Sequence, residues 1–193
     1  MSTTPPTQLP PPPPASLDPY LDAAARCFVR FGIRKTSVQD IAAELGVNRV
    51  TVYRQAGTVA EVVALLFARD IHRIVGTALA CLPTEVGPED VVDLLAGAVD
   101  AVRTHPVFEK VLADDLPWIA SLLVGGLPQL LARIIPAVTP ILEHATAHGH
   151  LAKRDAVVVA DQLIRLGISV IASPPAGDLR TYLAELVVPA LIP

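Results

Sequence analysis

A single glycine between two short helical patterns constrains this chain more than any other feature. The sequence TSVQDIAAELGVNRVTVY occupies residues 36–53, and Gly46 separates its two halves. Four apolar residues of the first half repeat at helical spacing: Val38, Ile41, Ala42 and Leu45. Ser37 and Asp40 have the spacing of a capping box, which predicts the start of this helix. Because glycine tolerates positive φ, Gly46 predicts a sharp turn, with Val47 filling the angle between the helices.

A second helix is predicted to begin after Asn48, a good N-cap residue, with Val52 continuing the apolar face. The remaining positions offer hydrogen-bond donors and groups suited to phosphates and base edges: Arg49, Val50, Thr51, Tyr53, Arg54 and Gln55. The alternative is a helical hairpin buried in a core, which needs neither the small Ala42 and Ala43 nor a donor-rich second helix. We therefore predict a helix-turn-helix.

The composition predicts an all-α protein with room for one or two domains. The 193 residues are 52% hydrophobic and only 4% aromatic, and the apolar residues lack the two-residue alternation of exposed sheets. Cys27 and Cys81 have neither a disulfide framework nor metal-type spacing, so reduced thiols are expected.

The mean hydropathy of +0.50 raises the question of a membrane span. The longest uncharged apolar stretch, residues 116–132, contains two prolines and two glycines, and it is shorter than the about 20 apolar residues that a span needs. We interpret it as a buried helix and expect no membrane partner. The first residues lack the basic start and apolar segment of a signal peptide, which predicts a cytoplasmic protein.

The net charge of −4 is divided unevenly along the chain. Residues 1–69 hold seven Arg or Lys and five Asp or Glu, a balance of +2, whereas residues 70–193 hold eight and fourteen, a balance of −6. Phosphate contact is a local electrostatic matter, so the acidic remainder does not exclude DNA binding by the N-terminal part.

Capping residues, glycines and prolines along the chain predict about nine helices, and the sequence has no internal repeat. Asp18 is expected to cap the first helix, Thr58 with Glu61 to open a long one, and glycines and prolines to kink or break the segment 118–148. The predicted divisions are a proline-rich arm at residues 1–17, a helix-turn-helix DNA-binding domain at 18–57, and a ligand-binding and dimerisation domain at 58–193.

Three segments resemble the TetR/AcrR family of bacterial transcriptional regulators. LDAAARCFVRFG resembles the family's first helix, TSVQDIAAELGV its second, and NRVTVYR its recognition helix. The resemblance implies that the recognition helix lies in the major groove. Two departures concern residues that the family usually has after the Tyr, a phenylalanine and a lysine, whose places hold Ala56 and Val59. The basic stretch before the first helix is also absent, so fewer phosphate contacts are expected.

Chemistry assigns roles within the predicted DNA-binding residues. Arg49, Arg54 and Gln55 suit base edges, and Val50 suits a thymine methyl. Five residues are better placed for backbone phosphates: Thr36, Ser37, Gln39, Thr51 and Tyr53. Asn48, at the start of the recognition helix, completes the set.

The C-terminal part resembles the family only in architecture. An apolar ligand pocket for a small hydrophobic effector is predicted from Phe108, Trp118, Leu122, Leu127 and Leu131, although plain core packing explains these residues almost as well. A homodimer interface is predicted from Leu163, Ile164, Gly167, Ile168, Leu183, Leu186 and Val187, with a buried core helix as the alternative.

Other chemistry is not expected. His144, His148 and His150 lack the further ligands of a metal site, and the sequence has no GxSxG, P-loop, GxGxxG or HExxH motif. We therefore predict no metal, no cofactor and no enzymatic activity. The predicted function is a dimeric repressor that a hydrophobic effector releases from a near-palindromic DNA operator. The alternative is a helical dimer of TetR type with weak or no specific DNA binding, which acts through a partner or ligand.

Overall fold

The structure, a computed structural model, describes residues 11–114 and 116–193, and the side chains of residues 115–124 lie outside the description. Within these residues the fold is all-α, as predicted, and contains no strand. The nine helices are α1 (Asp18–Phe31), α2 (Val38–Leu45), α3 (Arg49–Ala56), α4 (Val59–Ala80), α5 (Pro88–Arg103), α6 (Pro106–Asp114), α7 (Leu116–Ala147), α8 (Ala156–Ala172) and α9 (Leu179–Leu191). The first ten residues of the predicted arm lie outside the described residues, and Ala15–Leu17 at its end forms a 3₁₀ turn.

Side chains cap the helices that flank the turn. The Ser37 hydroxyl accepts from the Asp40 amide at 3.2 Å, while the Ser37 amide donates to the Asp40 carboxylate at 2.8 Å. The Asn48 carbonyl oxygen accepts from the Val50 amide at 2.9 Å. Both predicted starts are therefore confirmed, because each capping residue satisfies amides that the first helical turn leaves without partners.

The predicted cap of α1 is wrong. Asp18 already has helical geometry as the first residue of α1, and Leu17 occupies the N-cap position with no side-chain hydrogen bond. The Asp18 carboxylate instead accepts from Arg73 at 2.7 Å and from Arg69 at 3.3 Å. A local pattern predicted the start of the helix correctly but missed a distant partner for its first side chain.

Gly46 ends α2 in the left-handed conformation, with φ 69° and ψ 29°. Its amide donates to the Ala43 carbonyl at 3.2 Å, and the Val47 amide donates to the Ala42 carbonyl at 3.0 Å. These two bonds form a Schellman motif, which satisfies carbonyls at the helix end. The prediction that Val47 fills the angle between the helices is wrong, because 40% of its surface is exposed.

Helix α7 is continuous despite its prolines, so the kinks or breaks expected there do not divide it. Part of it, Gly125–Ala147, is the one described stretch that is long and apolar enough to cross a membrane by length and composition, a test that core helices also pass. One face of α7 is buried through Leu131, Val138, Leu142 and Ala145. This spacing agrees with helical packing along one side.

The chain divides into two compact units, each with its own core. The first contains Met1–Arg73 and Thr104–Gln129, and the second contains Ile74–Arg103 and Leu130–Pro193. This division is made by packing, and the functional boundary predicted between residues 57 and 58 stays a prediction.

In the first unit, α1 packs on α2 and α6, and α2 packs on α3. Its largest fully buried side chains are Leu21, Phe28, Ile41, Val52, Val62, Val63, Leu66 and Phe67. Ala42 is buried at the crossing of α2 and α3, whereas Ala43 is exposed. The helix-turn-helix thus rests on α1 through apolar contacts.

In the second unit, α5 packs against α8 and α9. A Cβ added at Gly167 of α8 would lie 3.0 Å from the Leu95 side chain of α5, so the glycine allows a close approach of the two helices. Leu183, Val187 and Leu191 of α9 belong to the same core. These contacts assign Gly167, Leu183 and Val187 to the interior of their own unit.

Two glycine substitutions should change stability in opposite directions. Gly46→Ala should destabilise the protein by about 1–2 kcal/mol, because an L-residue with φ 69° is strained. Gly76→Ala, at an exposed position within α4 where an added Cβ meets nothing, should stabilise by about 0.5–1 kcal/mol. Urea unfolding of both variants checks this, and a stabilising Gly46→Ala would contradict the proposed role of the turn.

Candidate nucleic-acid interface

The recognition helix α3 has a buried side and a polar exposed side. Val52 and Ala56 are at most 4% exposed and pack inward. Val50 and Tyr53 are 63% and 61% exposed. Arg49, Arg54 and Gln55 are also exposed, while Thr51 is half-buried. The predicted donor face therefore lies at the surface, on a helix fixed from behind by apolar packing.

The two arginines of this face have no acidic partner in the part of the chain that the structure describes. Among the described residues, Arg49 and Arg54 take part in no ion pair. The Glu44 carboxylate of α2 forms ion pairs with Arg26 at 2.6 Å and with Arg30 at 3.4 Å. These arginine contacts, the Arg26 hydrogen bond first, lower the pKa of Glu44. Glu44 of α2 is thus paired with two arginines of α1. The guanidinium groups of Arg49 and Arg54 are exposed and could bind an external anion.

The residues at the start of α2 differ in what they can offer. Ser37 and Gln39 are exposed, but the Ser37 hydroxyl is shared with Asp40 in the capping box. Thr36 is only 6% exposed, and its hydroxyl donates to the Gly32 carbonyl at 2.8 Å. Its predicted role as a phosphate contact is therefore not supported, because the hydroxyl closes the turn behind the helix. Asn48 similarly uses its side-chain oxygen as a cap.

Lys35 is a cation that the residue assignment missed. It ends the 3₁₀ turn Ile33–Lys35, is exposed, and has no ion pair within the described part of the chain. The sequence signal was its position two residues before Ser37, where a helix N-terminus attracts anions.

Buried charges between α1 and α4 were also missed. The Arg69 side chain is 8% exposed, and its guanidinium donates to Asp70 at 2.8 Å and to Asp22 at 2.7 Å. Burial alone would lower the pKa of Arg69, but the hydrogen bonds and charges of Asp70 and Asp22 raise it. Arg73 adds an exposed contact to Asp18. These ion pairs fasten the helix that supports the helix-turn-helix.

Residues predicted to line a ligand pocket lie in both compact units. In the first unit Phe108 is 8% exposed and stacks on Phe67, with ring centroids 4.6 Å apart. In the second unit Leu131 is buried. Leu127 is half-buried, and the side chains of Trp118 and Leu122 lie outside the described residues. Core packing accounts for the burial of Phe108 and Leu131, each within its own unit.

The predicted dimer residues fall on two different faces. Gly167, Leu183 and Val187 are buried in their own unit, which corrects their assignment to a surface for a partner. Leu186 is 49% exposed, and Leu163, Ile164 and Ile168 are half-buried. The exposed apolar side of α8 and α9 also includes residues that the prediction left out: Val157, Val158 and Tyr182.

The three histidines at the end of α7 are close together. The rings of His144 and His148 have centroids 4.2 Å apart, and those of His148 and His150 are 6.4 Å apart. The described residues contain no group of three or more His, Cys, Asp or Glu that could hold a metal ion.

Comparisons with known proteins agree with this geometry. Residues 21–64 match the family model described as bacterial regulatory proteins, tetR family. A TetR-family transcriptional regulator from Pectobacterium atrosepticum has a TM-score of 0.68 at 17% identity, covering 91% of this chain and 89% of its own. The TetR family repressor AlkX from Dietzia sp. strain DQ12-45-1b has a TM-score of 0.65 at 18% identity, covering 88% and 92%.

A transcriptional regulator from Saccharomonospora viridis in complex with choline has a TM-score of 0.59 at 17% identity, covering 92% of this chain and 98% of its own. No curated protein sequence matches. The N-terminal helices thus form a helix-turn-helix of the kind found in DNA-binding regulators. Residues 21–64 thus resemble the DNA-binding part of tetR-family regulators in sequence, and the whole chain resembles such regulators in fold. Regulators of this family bind DNA as dimers, and some bind small molecules.

The capping box before α2 should make stability depend on pH. Hydrogen bonds from the Ser37 hydroxyl and amide lower the pKa of Asp40 from its ordinary 3.8. A carboxyl with a depressed pKa stabilises the fold above its unfolded pKa, and this contribution is lost as pH falls through the folded pKa. Asp40→Asn should therefore cost about 1 kcal/mol at pH 7, and the cost should shrink below the ordinary pKa.

The measurement is urea unfolding of wild type and Asp40→Asn over a series of pH values. Introduced into Ser37→Ala, the same substitution should cost less at each pH, because one donor to the carboxylate is gone. A cost that is independent of pH would contradict the role of the Asp40 charge.

Proposed function

We propose that the protein is a dimeric repressor that leaves a near-palindromic operator when it binds a small hydrophobic effector. The observation that carries the proposal is the exposed, donor-rich face of α3, whose two arginines have no ion pair among the described residues. Such a face, on a helix of a capped helix-turn-helix, suits the major groove of DNA. As a regulator of this type it acts in the cytoplasm, without enzymatic activity or a cofactor.

On the DNA, Arg49, Arg54 and Gln55 read base edges, since Arg pairs with guanine and Gln with adenine in bidentate fashion. Val50 contacts a thymine methyl. Phosphates are bound by the residues that surround this face: Lys35, Ser37, Gln39, Thr51 and Tyr53. Thr36 is excluded because it is only 6% exposed and its hydroxyl donates within the chain, whereas Ser37 is exposed. Asn48 contributes by fixing the first turn of α3.

The dimer forms through the exposed apolar side of α8 and α9. Leu186 and Val157 are about half exposed, at 49% and 50%, although each carries a large apolar side chain. Exposed large apolar side chains of this kind are usual at a two-fold interface. A two-fold axis places the two recognition helices about 34–36 Å apart, which matches half-sites separated by one helical turn of DNA.

The effector is apolar. Phe108 offers buried apolar surface within the first unit. One regulator of similar fold, AlkX, fits this chemistry, because it is implicated in the biodegradation of n-alkanes, which are apolar. The Saccharomonospora regulator differs, because it was solved with choline, which is a cation. Effector binding shifts the equilibrium between a form that binds the operator and one that does not.

A second candidate function is a helical dimer whose DNA-binding part is weak and which acts through a partner or ligand. The small Ala56 and the uncharged Val59 favour it, because the family usually has an aromatic residue and a lysine there. We expect Lys35 to supply part of the phosphate binding that a lysine at position 59 would have given. A salt-dependent band shift separates the candidates, because a repressor discriminates its operator from scrambled DNA at physiological salt.

Arg54→Ala should weaken binding to the operator by about 1–3 kcal/mol and relax the preference at one base pair. Fluorescence anisotropy with a panel of operator variants measures both effects. The matched control is Arg165→Ala, which removes an exposed arginine of α8 that pairs with Asp161 at 2.8 Å. Equal losses on every operator variant would assign Arg54 to a phosphate instead of a base.

Leu186→Asp should shift the protein towards the monomer, because the partner surface would have to desolvate a carboxylate. Sedimentation velocity over a range of protein concentrations checks this. Val47→Asp is the control, since Val47 is 40% exposed but lies at the turn between α2 and α3. An unchanged dimer in Leu186→Asp would move the interface to another surface.

A further inference from the structure

A buried carboxylate connects the start of α6 to the ion pairs between α1 and α4. The Asp70 side chain is 5% exposed, and its Oδ2 lies 3.3 Å from Nε2 of His105, the residue before α6. Its Oδ1 accepts from the Arg69 guanidinium at 2.8 Å. The same guanidinium donates to Asp22 of α1 at 2.7 Å. A continuous path of polar contacts therefore runs from His105 through Asp70 and Arg69 to α1.

We propose that Asp70 and Arg69 are positioning residues that couple His105 to helix α1, so that operator affinity depends on a side chain outside the DNA-binding face. The proposal rests on the proposed function, because it assumes that α3 binds DNA. Helix α1 supports α2, and α2 packs on α3. A change in the anchoring of α1 thus reaches the recognition helix through two packed interfaces.

The coupling follows from the shortage of alternative partners. Asp70 Oδ2 is buried and makes no hydrogen bond within the described chain, so His105 is its one polar neighbour at ion-pair distance there. Nδ1 of His105 is also buried without a hydrogen bond. If His105 moves away, the buried carboxylate cannot turn to water and must be compensated by Arg69 alone.

If the Arg69 guanidinium turned further towards Asp70, its bonds to α1 would weaken. Its side chain is 8% exposed and spreads its donors over Asp70, Asp22 and Asp18. The planar guanidinium presents these donors in a fixed fork, so a rotation towards one carboxylate weakens the bond to another. Burial raises the pKa of Asp70, but the contacts of His105 and Arg69 outweigh it and hold the pKa below its ordinary value. The carboxylate therefore stays charged and continues to need both partners.

A double-mutant cycle with His105→Asn and Asp22→Asn tests the path at its two ends. Asparagine keeps a good N-cap before α6, and both wild-type side chains are partly exposed, at 27% and 54%, so neither substitution opens a core. Each single variant should weaken binding to the operator about fivefold or more. The operator affinity of the double variant should lie within about twofold of the affinity of whichever single variant binds more weakly. Multiplying losses would overturn the coupling.

Two controls separate the path from general loosening. Lys110→Gln removes an exposed ion pair of α6 with Asp114 and should leave operator affinity unchanged. Arg69→Lys keeps the charge but replaces the fork by one ammonium group, so the cycle repeated in that background should become additive. Coupling that persists with lysine at this position would show that direct packing of α6 on α1 carries it.

Amide exchange without DNA distinguishes failure of the coupling from failure of the proposed function. His105→Asn should raise exchange in the N-terminal half of α1, where Asp18 and Asp22 lie, and Lys110→Gln should not. Exchange of α1 at the wild-type rate in His105→Asn would refute the path whether or not DNA is bound. A wild type that does not discriminate its operator refutes the proposed function, and with it the effect on operator affinity.

Discussion

The buried guanidinium of Arg69 is the constraint on which the DNA-binding part depends. A charge that is 8% exposed is tolerated only with acceptors around it, and these come from α1 and from the adjacent residue of α4. Apolar packing between helices allows some sliding, whereas a planar donor fork accepts few arrangements. The Arg69 ion pairs therefore fix the position of α1 on α4. Because α2 packs on α1, they also fix the position of the helix-turn-helix.

Ion pairs of this kind also explain how a protein with a net negative charge keeps an exposed cationic face on α3. Asp18, Asp22 and Glu44 are all compensated by arginines within the first unit, so they do not oppose Arg49 and Arg54. A field that falls off within about 8–10 Å in salt depends on these local arrangements more than on the total of −4. If α3 binds DNA as proposed, the absence of a lysine at Val59 leaves fewer phosphate contacts and gives the residues proposed to read bases a larger share of the binding energy.

Local features of the fold were predictable because their causes lie within a few residues. Ser37 with Asp40, the glycine at position 46 and Asn48 each satisfy backbone groups next to them, and the structure confirms all three. Features set by distant residues were not predictable. Asp18 looked like a cap, yet its oxygens serve Arg69 and Arg73, which lie 51 and 55 positions away along the chain. Thr36 looked like a phosphate contact, yet the turn before α2 buries it.

The faces of α8 and α9 show the same limit for apolar residues. When a helix is apolar on more than one side, periodicity cannot decide which side meets its own core. Leu183 and Val187 pack against α5, whereas Leu186, one position before Val187, stays 49% exposed. Adjacent residues on a helix point about 100° apart, so Val187 can face the core while Leu186 faces away from it. Large apolar side chains on such a surface are unfavourable in solvation free energy as long as water covers them. In the proposed dimer, a second copy would cover them and remove this unfavourable contribution.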